Sequence, residues 1–160
     1  MAEPSVIHNT FVIERSYPSP VERVFSAFAD AAKKRRWFAE GATHDVEAFA
    51  MDFREGGIES ARYRFNASTP MPGVALTYDG MFHDIVPGVR MVTASSMAIG
   101  GHRISCSLVT IELVPEDGGT LLVCTHHGAF FEGADGPQMR QDGWQKIFDR
   151  LAAELATAND

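Results

Sequence analysis

Two hydrophobic periods alternate along this chain. Near its C-terminal end, Trp144, Ile147, Phe148, Leu151, Ala152 and Leu155 recur every three to four residues, the spacing of one helical face. Gln145, Lys146, Asp149, Arg150 and Glu154 fill the opposite face, with Arg150 and Glu154 spaced as an ion pair. Asp135 predicts a cap, Pro137 suits a first turn, and Gln138 stands where a capping box places it. The pattern therefore predicts a long amphipathic helix from Asp135 towards Asp160, and such a helix needs an apolar surface to lie on.

Most of the preceding chain has the period of two that marks strands. Asn9 to Ser16 predicts a first strand, with Phe11 and Ile13 on one face and Val12 and Glu14 on the other. Residues 1–8 are expected to be loose. Ser19 as N-cap, Pro20 at the first position and Glu22 predict a short helix whose buried stripe is Val21, Val24, Phe25 and Phe28. A second short helix is predicted over Ala31 to Trp37, ending near Gly41. Strand patterns follow at 43–53, 58–66, 74–86, 89–97, 102–114 and 119–128. The links, such as Glu55-Gly56-Gly57, Pro87-Gly88 and Gly100-Gly101, have turn chemistry. Strands this closely linked pair as antiparallel hairpins. The fold class is α+β, in one domain over 1–160: strand, helix, helix, six strands, helix. So long a sheet must curl, and its inner face needs the last helix as cover. The two short helices plug only one end, so a space for a ligand is expected between sheet and helix.

Charge narrows the function classes. Net charge is −7, from 14 basic and 21 acidic side chains. The only basic run is Lys33-Lys34-Arg35-Arg36, read as a solvated helix face. No nucleic-acid partner is expected of so acidic a chain. No apolar run is long enough to span a membrane, and Met1 to Thr10 lacks the regions of a signal peptide, so the expected compartment is the cytoplasm. Cys106 and Cys124 lie in strand patterns. A turn near Asp117-Gly118 would set residue 124 opposite residue 111, which argues against a disulfide. His, Cys and carboxylate spacing predicts no metal site, and no cofactor is expected.

Six motifs, in order, resemble one family. They are Phe11 to Arg15 with Pro18 to Phe25, Trp37-Phe38, Asp52 to Gly57, Gly80 to Pro87 with Arg90-Met91, Thr120 to Gly128, and Gly143-Trp144 through Leu155. The chain resembles the bacterial homologues of the activator of the heat-shock protein 90 ATPase, within the START-like (SRPBCC) superfamily. That resemblance implies a helix-grip fold, a curled antiparallel sheet wrapped around a long C-terminal helix. It implies less about function. The superfamily binds apolar small molecules or lipids, some relatives are polyketide aromatases or cyclases, and the family name comes from a co-chaperone.

Alternation assigns faces to the expected cavity. The family pattern turns Leu122, Cys124 and His126 towards the helix. Val109 and Ile111 follow, and by period two so do Ser107, Ser105 and Arg103. Tyr63 and Phe65 point in, with Glu59 as a further candidate, leaving Arg62 and Arg64 outside. Tyr78 and Phe82 point in. Met91, Thr93, Ser95 and Met97 share one face. A bulge would invert the faces beyond it. Trp37 and Trp144 are core aromatics or walls of the mouth. The helix should roof the pocket over Met139 to Phe148, with Gly143 allowing close approach, and be packed core over Leu151 to Leu155.

The candidate ligand cavity is thus Trp37, Tyr63, Phe65, Tyr78, Phe82, Ser95, Arg103, Ser105, Ser107, Cys124, His126, Trp144 and Phe148. His126 either meets a ligand, as hydrogen-bonding or acid–base group, or is a core histidine held by a protein partner. Arg103 either meets a ligand carboxylate or pairs with Glu59. His83, His102 and His127 are placed outside. The serines lack a nucleophile elbow and read as polar lining, so no catalytic residue is assigned. Three readings stand. One is binding of an apolar small molecule or lipid-like ligand. Another is a cyclase, aromatase or hydrolase using His126 with Arg103 or Tyr78. The third is a co-chaperone-like interaction module. A homodimer is a further option.

Overall fold

The computed structural model of the protein describes residues 3–157. Its core is a seven-stranded antiparallel sheet. The strands are β1 (Val6–Tyr17), β2 (His44–Met51), β3 (Ile58–Phe65), β4 (Ala75–Val86), β5 (Arg90–Ile99), β6 (His102–Glu116) and β7 (Gly119–Phe131). Strands β2 to β7 form successive hairpins, as their turn-rich links predict, and β1 joins the far edge beside β7, giving the order β1-β7-β6-β5-β4-β3-β2. Pairing of β1 with β7 runs from Tyr17↔Thr120 out to Val6↔Phe131. Val6 to His8, expected to be loose, are therefore strand, while Met1 and Ala2 lie outside the described residues. Ile111 stands opposite Cys124, the register the turn predicts, and both cysteines are free thiols.

Helix α1 (Val21–Ala29) and helix α2 (Ala31–Lys34) link β1 to β2. The start of α1 differs from expectation. Pro20 is its N-cap, without a side-chain cap, because Ser19 is drawn into the core and its carbonyl accepts from Thr120 Oγ1 at 2.7 Å. Asp30 caps α2 through the amide of Lys33 at 3.0 Å. The chain then widens into a π-helical turn over Arg35–Ala39, closed by the amide of Glu40 on the Arg35 carbonyl. That wider turn buries Trp37, Phe38 and Ala39 together. Trp37 Nε1 donates to the Ala27 carbonyl at 2.9 Å, which ties the turn back to α1.

Helix α3 (Pro137–Leu155) lies on the concave face. Its stripe behaves as the spacing predicts, with Phe148, Leu151 and Leu155 buried and Trp144, Ile147 and Ala152 packed against the same cluster. Tyr17 Oη donates to the Phe148 carbonyl at 2.9 Å, and Arg15 reaches Asp149 at 2.8 Å. Two expectations for α3 fail because a distant partner outcompetes a local one. Glu154 pairs with Arg36 at 2.7 Å, while Arg150 donates to the Trp37 carbonyl. Gly136, at φ 87°, caps the helix without a side-chain bond, because the Asp135 carboxylate is held by Arg140. Among the described residues no helix is long and apolar enough to cross a membrane.

Candidate functional site

Between the sheet and the first half of α3 lies a cavity of about 350 Å³. Curling makes it possible. The far half of α3 packs directly on β1 and the short helices, whereas the near half stands off the inner faces of β3 to β6. Aromatic rings recur around the wall: Phe28, Trp37 and Phe38 at one end, Tyr63, Tyr78 and Phe82 across the sheet, and Trp144 from above. The rings brace each other edge to face, Trp37 on Phe38 at 5.9 Å, Phe38 on Tyr78 at 5.4 Å and Phe28 on Trp37 at 4.7 Å.

Two polar poles break this apolar lining. The first is Lys34, Glu59, Tyr78 and Ser95. Lys34 Nζ sits 2.7 Å from Glu59 Oε2, with both side chains buried. Its ammonium lies 4.8 Å from the centroid of Phe38, 5.5 Å from that of Phe82 and 5.7 Å from that of Phe28. Tyr78 Oη donates to Glu59 Oε1 at 2.9 Å. Burial, then the Glu59 carboxylate, pushes the Tyr78 phenol well above its ordinary value, so it stays a neutral donor. The second pole is Arg140, Asp135 and His126. Arg140 grips Asp135 with two bonds of 2.7 and 2.8 Å, donates to Ser105 Oγ at 2.9 Å, and lies over the Phe130 ring.

His126 is 1% exposed and lines the cavity. Its ring stacks on Phe11 at 4.5 Å and meets Trp144 at 6.5 Å. Nδ1 has no hydrogen-bond partner. Burial, reinforced by the Arg140 charge, holds the imidazole down to about 4, so it is neutral at physiological pH. Gly128 makes room for this ring. A Cβ there would stand 2.9 Å from the imidazole and 2.8 Å from Phe130.

Of the sequence-predicted residues, Trp37, Tyr63, Phe65, Tyr78, Phe82, Ser95, Ser107, His126 and Trp144 are brought together around the cavity. Arg103, Ser105, Cys124 and Phe148 do not line it. The register slips where Met97 faces Ser105 but Ala98 faces Arg103, so Ile104 is an extra residue on β6. Ile104 turns inward and Arg103 is left exposed, away from Glu59 and from His126, which removes it from the catalytic grouping drawn from the sequence. Ser105 is fully buried and committed to Arg140. Cys124 and Phe148 are sealed in the main core, and burial pushes the Cys124 thiol up to about 12, leaving it inert. His83, His102 and His127 are exposed, as placed.

Sequence reasoning missed three cavity groups. Lys34 was grouped with a solvated basic run, yet it is the innermost residue of that run. Asp135 is assigned by sequence to the cap of α3 and Arg140 to no role, yet both line the cavity. One signal was available: Lys34 falls six residues after Phe28 and four before Phe38, inside an aromatic-rich helical stretch. Gly143 was expected to let α3 approach closely. A Cβ there would meet nothing within 4 Å, so this glycine faces open space at the cavity. Among the described residues no group of three or more His, Cys, Asp or Glu could hold a metal ion.

The sequence model of the Activator of Hsp90 ATPase homolog 1-like protein family matches residues 18–156. Solved bacterial structures share the fold along almost the whole chain. A protein from Rhizobium leguminosarum is 34% identical with a TM-score of 0.88, covering 96% of this chain and 98% of its own. One from Rhizobium loti is 45% identical with a TM-score of 0.84, covering 94% and 99%. One from Chromobacterium violaceum is 25% identical with a TM-score of 0.79, again covering 94% and 99%. No curated protein matches the chain.

Proposed function

We propose that this chain, which belongs to the Activator of Hsp90 ATPase homolog 1-like family, binds an apolar or lipid-like small molecule between its sheet and α3. The observation that carries the reading is the cavity of about 350 Å³, with aromatic rings around its wall and two fixed polar poles. Its size and its few polar groups are those of small-molecule sites. A void of this size is costly. Larger side chains at Ser95, Thr93 or Gly143 would remove that cost, and the sequence does not use them. We place the protein in the cytoplasm, where its two free thiols suit a reducing environment.

The test uses Gly143. Replacing it by Leu in the interior of α3 raises helix propensity and sends an apolar side chain into the cavity. Native mass spectrometry and thermal shift with a panel of apolar compounds would be run on wild type and on Gly143→Leu. Binding to wild type and its loss in a folded, equally or more stable variant is the expected result. A panel that leaves wild type unshifted, or that binds both proteins alike, removes the cavity as the site.

A further inference from the structure

The charged residues in the cavity wall are Lys34, Glu59, Asp135 and Arg140, two cations and two anions. Each cation already has its counter-charge. Lys34 is 2.7 Å from Glu59, and Arg140 holds Asp135 through two bonds and spends a third on Ser105. We propose that the cavity selects uncharged ligands, an aromatic or aliphatic body bearing a hydroxyl or carbonyl, and rejects the carboxylate of a fatty or aromatic acid. This rests on the reading of the cavity as a small-molecule site and narrows it.

The physical reason is what an incoming anion would find. It would leave water for a wall with no spare positive charge. At Arg140 it would be a second anion beside Asp135, and at Lys34 a second anion beside Glu59, so each approach sets two carboxylates against one cation in the same low-dielectric space. His126 gives no help, because the ring is neutral and the adjacent Arg140 charge disfavours its protonation. A neutral hydroxyl or carbonyl meets none of these penalties. Tyr78 Oη donates to Glu59 and shares a hydrogen bond with Ser95 but keeps a lone pair, and the hydroxyls of Ser107 and Thr93 line the space with the His126 ring. The chain's charge of −7 also repels anions before they arrive.

Matched pairs sharing one skeleton test this: 2-naphthol with 2-naphthoate, 4-phenylphenol with 4-phenylbenzoate, and decanol with decanoate, at about pH 7.5, where the acids are ionised. Affinities are read by displacement of the neutral dye Nile red and by native mass spectrometry. The alcohol or phenol should bind at least about tenfold more tightly than its acid. Carboxylates that bind as well as their partners overturn the charge argument and leave the cavity reading standing. Failure of every compound to bind overturns the cavity reading itself, and this inference with it. In Asp135→Asn, Arg140 gains a spare charge, so the alcohol-to-acid ratio should fall about tenfold. An unchanged ratio in the folded variant removes Arg140–Asp135 from ligand selection. Glu59→Gln frees Lys34 and serves the same purpose if Asp135→Asn does not fold, and the wild-type comparison needs neither variant.

Discussion

Lys34 and Glu59 give the sharpest energetic prediction. Their side chains are 7% and 1% exposed, and the charged atoms are 2.7 Å apart. Removing one partner of a buried pair costs about 3–5 kcal/mol, because the survivor keeps its desolvation penalty without compensation. The two single substitutions should differ within that range. Lys34→Met leaves a buried carboxylate whose remaining donor is the Tyr78 hydroxyl, and its cost should lie at the upper end. Glu59→Gln leaves an ammonium among the Phe28, Phe38 and Phe82 rings, each of which favours a cation by about 0.5–2 kcal/mol. The Gln side-chain carbonyl can still accept from Lys34 while its amide nitrogen donates to the Tyr78 hydroxyl, so the cost should fall at or below the lower end. The double variant leaves no buried charge here and should be much less unstable than the sum, with a coupling of at least about 2 kcal/mol. Urea denaturation followed by circular dichroism and tryptophan fluorescence measures all four proteins. For a chain of this length the worst variant should also melt roughly 10 °C lower. Single costs below about 1 kcal/mol that simply add would mean that water reaches the pair, and would refute the reasoning.

The other predictions rest on single groups. His126 titrates near 4 when folded against about 6.5 unfolded, so between those values the unfolded chain binds more protons and stability rises with pH. Its contribution is complete above about pH 6.5 and lost as pH falls through about 4. Against His126→Phe, wild type should lose up to about 3 kcal/mol across that window, less where cavity water solvates the imidazolium, and parallel stability–pH curves would exclude it. Gly128→Ala pushes a Cβ into His126 and Phe130 and should cost about 1–3 kcal/mol in urea, with a change in near-ultraviolet circular dichroism. Tyr17→Phe removes the second hydrogen bond to the Phe148 carbonyl, which keeps its helical one, and should cost about 0.5–1.5 kcal/mol, while the far-ultraviolet spectrum stays unchanged.

The elements were legible because each is specified locally. Helix α3 follows from a stripe of six apolar positions, and the six hairpin strands follow from their turns. The Ile111–Cys124 register needs only the position of one turn. Failures cluster where a long-range partner overrode a short-range rule. Asp135 had every local reason to cap α3, but a guanidinium five residues on offered two charge-assisted bonds. Glu154 had Arg150 one turn away and took Arg36 instead. Ser19 had the chemistry of an N-cap, yet its backbone was needed by Thr120 in the core. Propensity weighs only the alternatives in its own window, and these contests were decided from outside it.

The cavity's composition was partly legible and its electrostatics were not, for related reasons. Period two carries a face along a strand only until a residue is inserted. Ile104 is that residue, and it turned the predicted interior arginine, Arg103, to solvent. The arginine that does enter, Arg140, comes from α3, whose amphipathic pattern places a basic residue outside by default. Lys34 fails the same test, because a run of four basic residues reads as one solvated face although a helix must turn one of them inward. In both cases the cation is buried because a carboxylate waits for it, Asp135 for Arg140 and Glu59 for Lys34. Arg140 lies close to its partner in sequence, whereas Lys34 and Glu59 meet only once the sheet has curled against α2. A buried charge is a property of a pair. Sequence pattern can rank each residue for burial alone, so strand alternation offers Glu59 as an inward candidate but leaves Lys34, the cation that Glu59 holds, on the surface, at a position that sets what the cavity can hold.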